Sequence, residues 1–202
     1  MSDKGLVKMS GHILAFYPDN GEVLLDIDNA IHYENISEAL ALSLSNRETG
    51  FIHEMHFGNG GTSVDPTGVI AYLPPNSTGQ NADLYNPTFY KVVNDLSSLN
   101  LDPTRNKLEV RHTAEAIYTD ILVTCLLDFG EPAGQAAFDN SENLDSEFVF
   151  DELGLKAWSG TEGTGKLLTH AVFHPAQKSL NRLLQIDYTL RIQSLTNLSS
   201  NA

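Results

Sequence analysis

The amino-acid sequence predicts a mainly β protein: an antiparallel β-sandwich or barrel-like domain with one short N-terminal helix and long loops. Apolar and polar residues alternate from Leu184 to Ile192, the period-2 pattern of a strand with one buried and one solvated face. Other strand-like runs follow at hairpin spacing, without the alternation of strands and helices that a parallel sheet requires. We therefore expect a single β-rich domain over residues 1–202.

Two apolar runs near the N-terminus predict the first β-hairpin. The strands are expected at His12–Tyr17 and Val23–Ile27, with Asn20-Gly21 between them. An Asn-Gly pair favours a type I′ turn, because both central residues of that turn adopt positive φ.

The only predicted helix covers residues 35–46. Its apolar residues recur every four positions at Ile36, Leu40 and Leu44. We expect the Asn35 side chain to cap the first turn, with Glu38 three residues later completing a capping box.

The remaining strands are predicted from shorter patterns. The expected ranges are 51–57, 108–112, 117–127 and 167–173. Residues 117–127 are apolar at successive positions, which is typical of a central strand covered on both faces. Residues 62–106, by contrast, are rich in Pro, Gly, Asn and Ser, and only about 69–73 and 89–93 look regular. This segment is predicted to be a long loop excursion or assembly arm, because loops of this length usually serve binding or assembly.

Charge, hydropathy and cysteine content argue against several classes of function. The 202 residues include 26 Asp and Glu against 12 Lys and Arg, which gives a net charge of −14. Such a balance argues against direct nucleic-acid binding, which needs a basic footprint. Neither a secretory signal nor a membrane-spanning run is recognisable, so we expect no membrane partner and synthesis in a cytoplasm. The single cysteine, Cys125, lies in the most apolar strand, where we expect an inert buried thiol.

Residues 160–166 match the phosphate-binding pattern Gly-x-x-x-x-Gly-Lys. The position after Lys166 is Leu167 rather than the Ser or Thr that would bind Mg²⁺, and a strand rather than a helix is expected to follow. Glu162 would also place a negative charge in the phosphate cradle. The sequence therefore favours a flexible hairpin loop here.

The seven histidines are His12, His32, His53, His56, His112, His170 and His174. His170 and His174 would lie roughly 13 Å apart on one strand face, too far to share an ion, and His53 and His56 would fall on opposite faces. Residues 139–150 resemble a calcium loop but lack its central Gly and final Glu, which favours an acidic solvated loop over calcium at a contact between subunits. We predict no metal and no cofactor. A carboxylate pair for glycoside hydrolysis, or a sugar site lined by Trp158, stays open.

Several local sequences together resemble virion structural proteins of tailed bacteriophages. They are residues 29–35, 57–62, 83–90, 167–175 and 186–192. The resemblance spans about residues 11 to 193 and contains no catalytic signature. It implies a non-enzymatic component of the virion, located in the neck, collar, tail or baseplate of a contractile-tailed phage. The alternatives are a capsid decoration protein or a carbohydrate-binding fibre module, and less favoured is a virion-associated glycan hydrolase.

This role would require contacts with identical subunits in a ring and with other virion proteins. We expect residues 62–106 and 130–147 to make such contacts, and deletion of 76–86 to weaken assembly while the β-core stays folded. Lys107 would join several of the predicted interface cations in offsetting repulsion between acidic subunits. The predicted interface residues are Tyr72, Tyr85, Phe89, Tyr90, Arg111, Lys178, Arg182 and Arg191.

Overall fold

The computed structural model describes residues 6–132 and 147–195, and the predicted mainly β fold is confirmed. These residues form eleven strands and one helix. In chain order they are β1 Leu6–Phe16, β2 Val23–Ile31, α1 Tyr33–Leu44, β3 Ile52–Gly58, β4 Thr62–Val64, β5 Ile70–Tyr72, β6 Pro87–Val92, β7 Lys107–His112, β8 Tyr118–Leu127, β9 Glu147–Ala157, β10 Thr169–Ser179 and β11 Leu184–Leu195.

Nine of the strands form one curled antiparallel sheet. Their order is β6-β3-β9-β10-β2-β1-β11-β8-β7, while β4 and β5 pair separately. The sheet has two halves that meet at β10 and β2, where only Thr169–Ile31 and His170–Ala30 are paired. Such a short seam lets the halves fold toward each other, as in a sandwich or half-barrel.

The core lies on the inner face of this curled sheet. Strand β11 supplies Leu184, Ile186, Tyr188 and Leu190, all at most 1% exposed, which confirms its predicted alternation. The other half contributes a group of packed aromatic rings with centroids 5.4 to 6.4 Å apart. These rings belong to Phe57, Phe89, Phe148, Phe150 and Phe173.

The first hairpin forms as predicted, with longer strands and a different turn. Tyr17 N–H donates to Glu22 O at 2.9 Å, and Gly21 N–H donates to Tyr17 O at 2.8 Å. Gly21 has φ of 73°, whereas Asn20 does not have positive φ. The type I′ prediction is therefore wrong, because that turn needs positive φ at both residues.

The helix also starts earlier than predicted, and its cap is not Asn35. His32 is the N-cap, and its Nδ1 accepts a hydrogen bond from Asn35 N–H at 3.2 Å. The Asn35 side chain is buried and donates instead to Leu167 O at 2.9 Å. A buried histidine thus performs the capping role that the sequence pattern assigned to the asparagine, and the asparagine attaches the helix to the segment before β10.

The sequence did not predict strand β9, although it lies between β3 and β10. Phe148 and Phe150 are buried in the core, and so are Leu153 and Leu155, but Asp151 and Glu152 interrupt the alternation between these pairs. The pairing of β9 with β10 shifts register close to this point. Because the alternation of buried and exposed residues is broken here, the period-2 pattern does not reveal the strand. The same irregularity turns both acidic side chains toward the loops.

Within residues 62–106, β5 and β6 lie close to the two ranges expected to be regular, whereas β4 was not predicted. One further expectation needs correction. Strand β8 is not covered on both faces throughout, because residues 118–122 are only half-buried and full burial is reached near Cys125. The thiol of Cys125 is itself buried, and burial raises its pKa to about 12, as expected for an inert cysteine.

Candidate functional site

A buried carboxylate on β9 organises the loops outside the sheet. Glu152 has no solvent exposure. It accepts hydrogen bonds from the backbone N–H groups of Gly60 at 3.0 Å, Asn86 at 2.8 Å and Tyr85 at 2.8 Å. His170 Nε2 donates to it at 3.0 Å. Burial acts to raise the pKa of Glu152, but these hydrogen bonds outweigh it and hold the pKa below its ordinary value.

The neighbouring Asp151 anchors the base of the β4–β5 hairpin. Its carboxylate accepts from Gly61 N–H and Thr62 N–H, both at 2.9 Å, and from the Thr62 hydroxyl. Leu73 N–H closes the other side of the base by donating to Gly61 O at 2.8 Å. Two successive acids therefore attach two different surface segments to one strand.

His170 joins the same network from β10. Its Nδ1 accepts from Asn76 N–H at 2.8 Å, so Nε2 carries the proton that it donates to Glu152. His174 has a different partner, the Tyr72 hydroxyl at 3.2 Å. The two histidines therefore hold separate loops.

A second buried acid, Glu54, contacts two histidines. His56 Nε2 lies 2.7 Å and His53 Nδ1 lies 3.3 Å from its carboxylate oxygens, and Gly163 N–H donates to it at 3.0 Å. The prediction that His53 and His56 lie on opposite faces is wrong, because a bulge between Ile52 and Glu54 inserts His53 as an extra residue.

The ionisation states of this cluster follow from burial and hydrogen bonding. For Glu54, burial raises the pKa, but hydrogen bonds from His56, Gly163 and His53 outweigh it and the pKa is lowered. For His56, burial is the largest effect and lowers the pKa despite the hydrogen bond to Glu54. At neutral pH the pair is an ionised carboxylate beside a neutral imidazole.

His53 also connects the sheet to the loop between β6 and β7. Its Nε2 lies 3.1 Å from the Ser97 hydroxyl, which in turn accepts from Leu99 N–H at 3.2 Å. The contacts run from Ser97 through His53 to Glu54, which is the order of nucleophile, base and acid in a catalytic triad. Here the serine caps a turn and the acid holds Gly163 and His56, and these contacts attach the 93–106 loop to β3.

Among the described residues, no group of three or more His, Cys, Asp or Glu side chains is arranged to hold a metal ion. Of the stretch 139–150 that resembles a calcium loop, residues 139–146 lie outside the described residues and the remainder lies in β9. No helix in the described ranges is long and apolar enough to cross a membrane.

The Gly-x-x-x-x-Gly-Lys stretch is a loop between β9 and β10, followed by a strand as predicted. Lys166 makes an ion pair with Glu38 of α1. A Cβ placed on Gly165 would lie 1.7 Å from Ala157 O, so this glycine is required for the close approach of two backbones.

We expect Gly165→Ala to destabilise the protein by about 2 to 3 kcal/mol, because the strand end must move to accommodate the methyl group. Denaturant unfolding measures this loss. A Gly165→Ala variant as stable as the wild type would contradict the packing explanation.

The predicted interface residues divide into buried and surface positions. Phe89 is 6% exposed within the aromatic core. Lys178 is fully buried and donates to the backbone oxygens of Asp128, Glu131 and Ser179 at 2.9 to 3.0 Å. Burial lowers the pKa of Lys178 to about 8. Both residues are engaged inside the subunit, so we withdraw them from the predicted interface.

The predicted tyrosines lie at the surface of the loop region. Tyr72 is 53% exposed on β5, and Tyr85 is 38% exposed with its hydroxyl bound to Pro74 O at 2.7 Å. Tyr90 is half-buried on β6 and stacks on His56, with 5.3 Å between ring centroids. Of these three, Tyr72 offers the largest accessible ring to a neighbour.

The predicted arginines have acidic partners within the subunit. Arg111 contacts Glu109 at 3.0 and 3.1 Å, and Arg191 binds Asp120 at 2.7 Å through two nitrogens. Arg182 lies 3.3 Å from Asp19. Each arginine therefore already offsets a local negative charge, and the chain as a whole keeps its net charge of −14.

The β4–β5 hairpin and the residue after it carry a group of exposed apolar side chains. Val64 is 67% exposed, Val69 61%, Tyr72 53% and Leu73 41%. The tip is ordered by Asp65, whose Oδ1 accepts from Thr67 N–H at 2.8 Å and from Val69 N–H at 3.0 Å. We call residues 62–73 the arm. The sequence pointed to the wider range 62–106 and to Tyr72 within it, but not to Val64 or Val69.

Comparisons with known proteins add no identification. No protein-family model matches the chain, and no curated protein or solved structure shows significant similarity to it. The function must therefore be argued from the surface and the internal network of this molecule.

Proposed function

We propose that the protein is a non-enzymatic structural component of a tailed-phage virion, in the neck, collar, tail or baseplate, and that it assembles with copies of itself and with other virion proteins. The observation that carries the proposal is the arm. It presents ordered, exposed apolar residues on a base that is fastened by Asp151, which is the arrangement expected of a surface that another protein covers.

The chemistry of the buried groups agrees with this role. Glu152, Asp151 and Glu54 each accept several hydrogen bonds that attach loops to the sheet. These acids fix the shape of the surface on which the arm stands. The resemblance to virion structural proteins is the second support for the proposal.

The arm is tested with the double variant Val64→Ser/Val69→Ser. Both valines are more than half exposed, so stability should change by no more than about 0.5 kcal/mol. Native mass from light scattering, with electron microscopy of the same fraction, should show a ring for the wild type and smaller species for the variant.

Val23→Ser is the matched control, because Val23 is 55% exposed but lies in β2 outside the arm. It should assemble as the wild type does. Rings of unchanged mass from the arm variant would contradict the role of the arm. The deletion of 76–86 is unsuitable, because it removes buried Leu84 together with donors to Glu152 and the partner of His170.

A binding module remains the second candidate, favoured by the cleft of about 200 Å³ between α1 and the loop after β9. Trp158, Asn35, Glu38 and Lys166 are among its lining residues. A ring for stacking beside polar side chains is compatible with a sugar. Glycan-array binding that is lost in Trp158→Ala, by a protein that stays monomeric, would favour this function over assembly.

A further inference from the structure

Strand β7 is the outer strand at one end of the nine-stranded sheet. In the described part of the chain it pairs with β8 alone. Its side chains are largely exposed, and Val110 at its centre is 69% exposed. An open edge with an apolar centre is a template for another strand.

The direction of the free hydrogen-bonding groups on β7 can be determined. Leu108 N–H donates to Asp95 Oδ1 at 3.1 Å, so it points away from β8. On the β8 side, Leu126 N–H donates to Asn106 Oδ1 at 2.8 Å, which directs the backbone groups of the even-numbered β8 residues toward β7. Because groups alternate along a strand, Val110 and His112 point their N–H and C=O groups outward.

We propose that β7 pairs antiparallel with β7 of a second copy of this chain around a two-fold axis at Val110. In this register the two Val110 residues exchange both main-chain hydrogen bonds. His112 N–H of each copy donates to Leu108 O of the other, and Leu108 N–H donates to His112 O of the other copy once Asp95 has released it. The two sheets become one continuous sheet across the axis.

The charged side chains of β7 favour this register over the two adjacent registers. Glu109 stands directly opposite Arg111 of the second copy, and the same pair repeats across the axis, with Cβ atoms about 5 Å apart. Moving the two-fold axis by one residue, to Glu109 or to Arg111, places Glu109 opposite Glu109 or Arg111 opposite Arg111.

The apolar contact is also self-complementary. Val110 of each copy covers Val110 of the other, and the exposed Leu96, adjacent to Asp95, stands near the same edge. Across this edge the strand sequence Lys-Leu-Glu-Val-Arg-His places opposite charges on one face and a valine pair on the other. This inference concerns β7 alone and does not depend on the proposed virion role.

The test uses the full chain and charge-reversal variants. Glu109→Arg and Arg111→Glu each create two like-charged pairs, and each should weaken self-association at least about tenfold in sedimentation experiments. An equimolar mixture of the two variants should associate again, because the arginine introduced in one variant then faces the glutamate introduced in the other. An intrachain role of the Glu109–Arg111 pair could not produce this rescue in trans.

Two further variants complete the test. Val110→Pro removes an outward N–H without removing a hydrogen bond to β8. It should abolish association through β7 and leave the far-UV circular dichroism spectrum unchanged. Glu22→Arg makes the same charge change at an exposed site in the first hairpin and should leave association unchanged. A wild type without self-association, a mixture that fails to associate, or a Val110→Pro variant with wild-type mass would each overturn the proposal.

Discussion

Glu152→Gln is expected to lower the free energy of unfolding by about 3 to 5 kcal/mol, which is a large part of the stability of a typical domain. The substitution preserves shape but replaces one acceptor oxygen by an N–H₂ group. That group would face donors at Tyr85 and His170, so donor meets donor in a site without solvent. Denaturant unfolding followed by circular dichroism measures the loss.

The location of the effect can be checked as well as its size. Amide hydrogen exchange should accelerate most at Gly60, Tyr85 and Asn86, whose N–H groups bind this carboxylate. Glu22→Gln, at an exposed acid, serves as the control and should change stability by less than about 0.5 kcal/mol. A Glu152→Gln variant that loses less than about 1 kcal/mol would refute the view that this side chain fastens the loops.

The overall fold could be predicted because hydrophobic alternation determines which face of a strand is buried. Strand β11 shows this most clearly, with its even-numbered residues from Leu184 to Leu190 in the core. Prediction failed where an irregularity breaks the alternation. Asp151 and Glu152 interrupt β9, which was not predicted, whereas β3 was predicted but the extra residue His53 places a side chain on an unexpected face. At both places the irregularity turns polar side chains toward the loops that they hold.

The candidate site was less accessible from sequence, because burial in three dimensions decides what a side chain can contact. Lys178 reads as a surface cation, yet its ammonium group is enclosed by three carbonyl oxygens. Phe89 reads as an exposed loop aromatic, yet it packs against Phe57 and Phe148. Composition indicated only the wider range 62–106, whereas the hairpin within it and its ordered turn at Asp65 became visible only in the structure.

Acid is expected to destabilise the protein in two stages. Burial, opposed by the hydrogen bond to Glu54, keeps the pKa of His56 below its ordinary 6.5 in the folded state. As pH falls below about 6.5, His56 in the unfolded chain therefore binds a proton, whereas His56 in the folded chain stays neutral. The free energy of unfolding declines as a result, by at most about 1.4 kcal/mol per pH unit. Unfolding free energies measured across this range give the slope.

The second stage begins below about pH 4.5, the ordinary pKa of a glutamate. Glu54 and Glu152 have lowered pKa values when folded, so the stability they contribute is complete above this pH and is lost as pH falls through the folded values. His56→Gln keeps a donor for Glu54 and should flatten only the upper stage, while Glu54→Gln should reduce the slope of the lower one. If both variants titrate as the wild type does, the buried pair does not control acid stability, because the protons must then bind elsewhere.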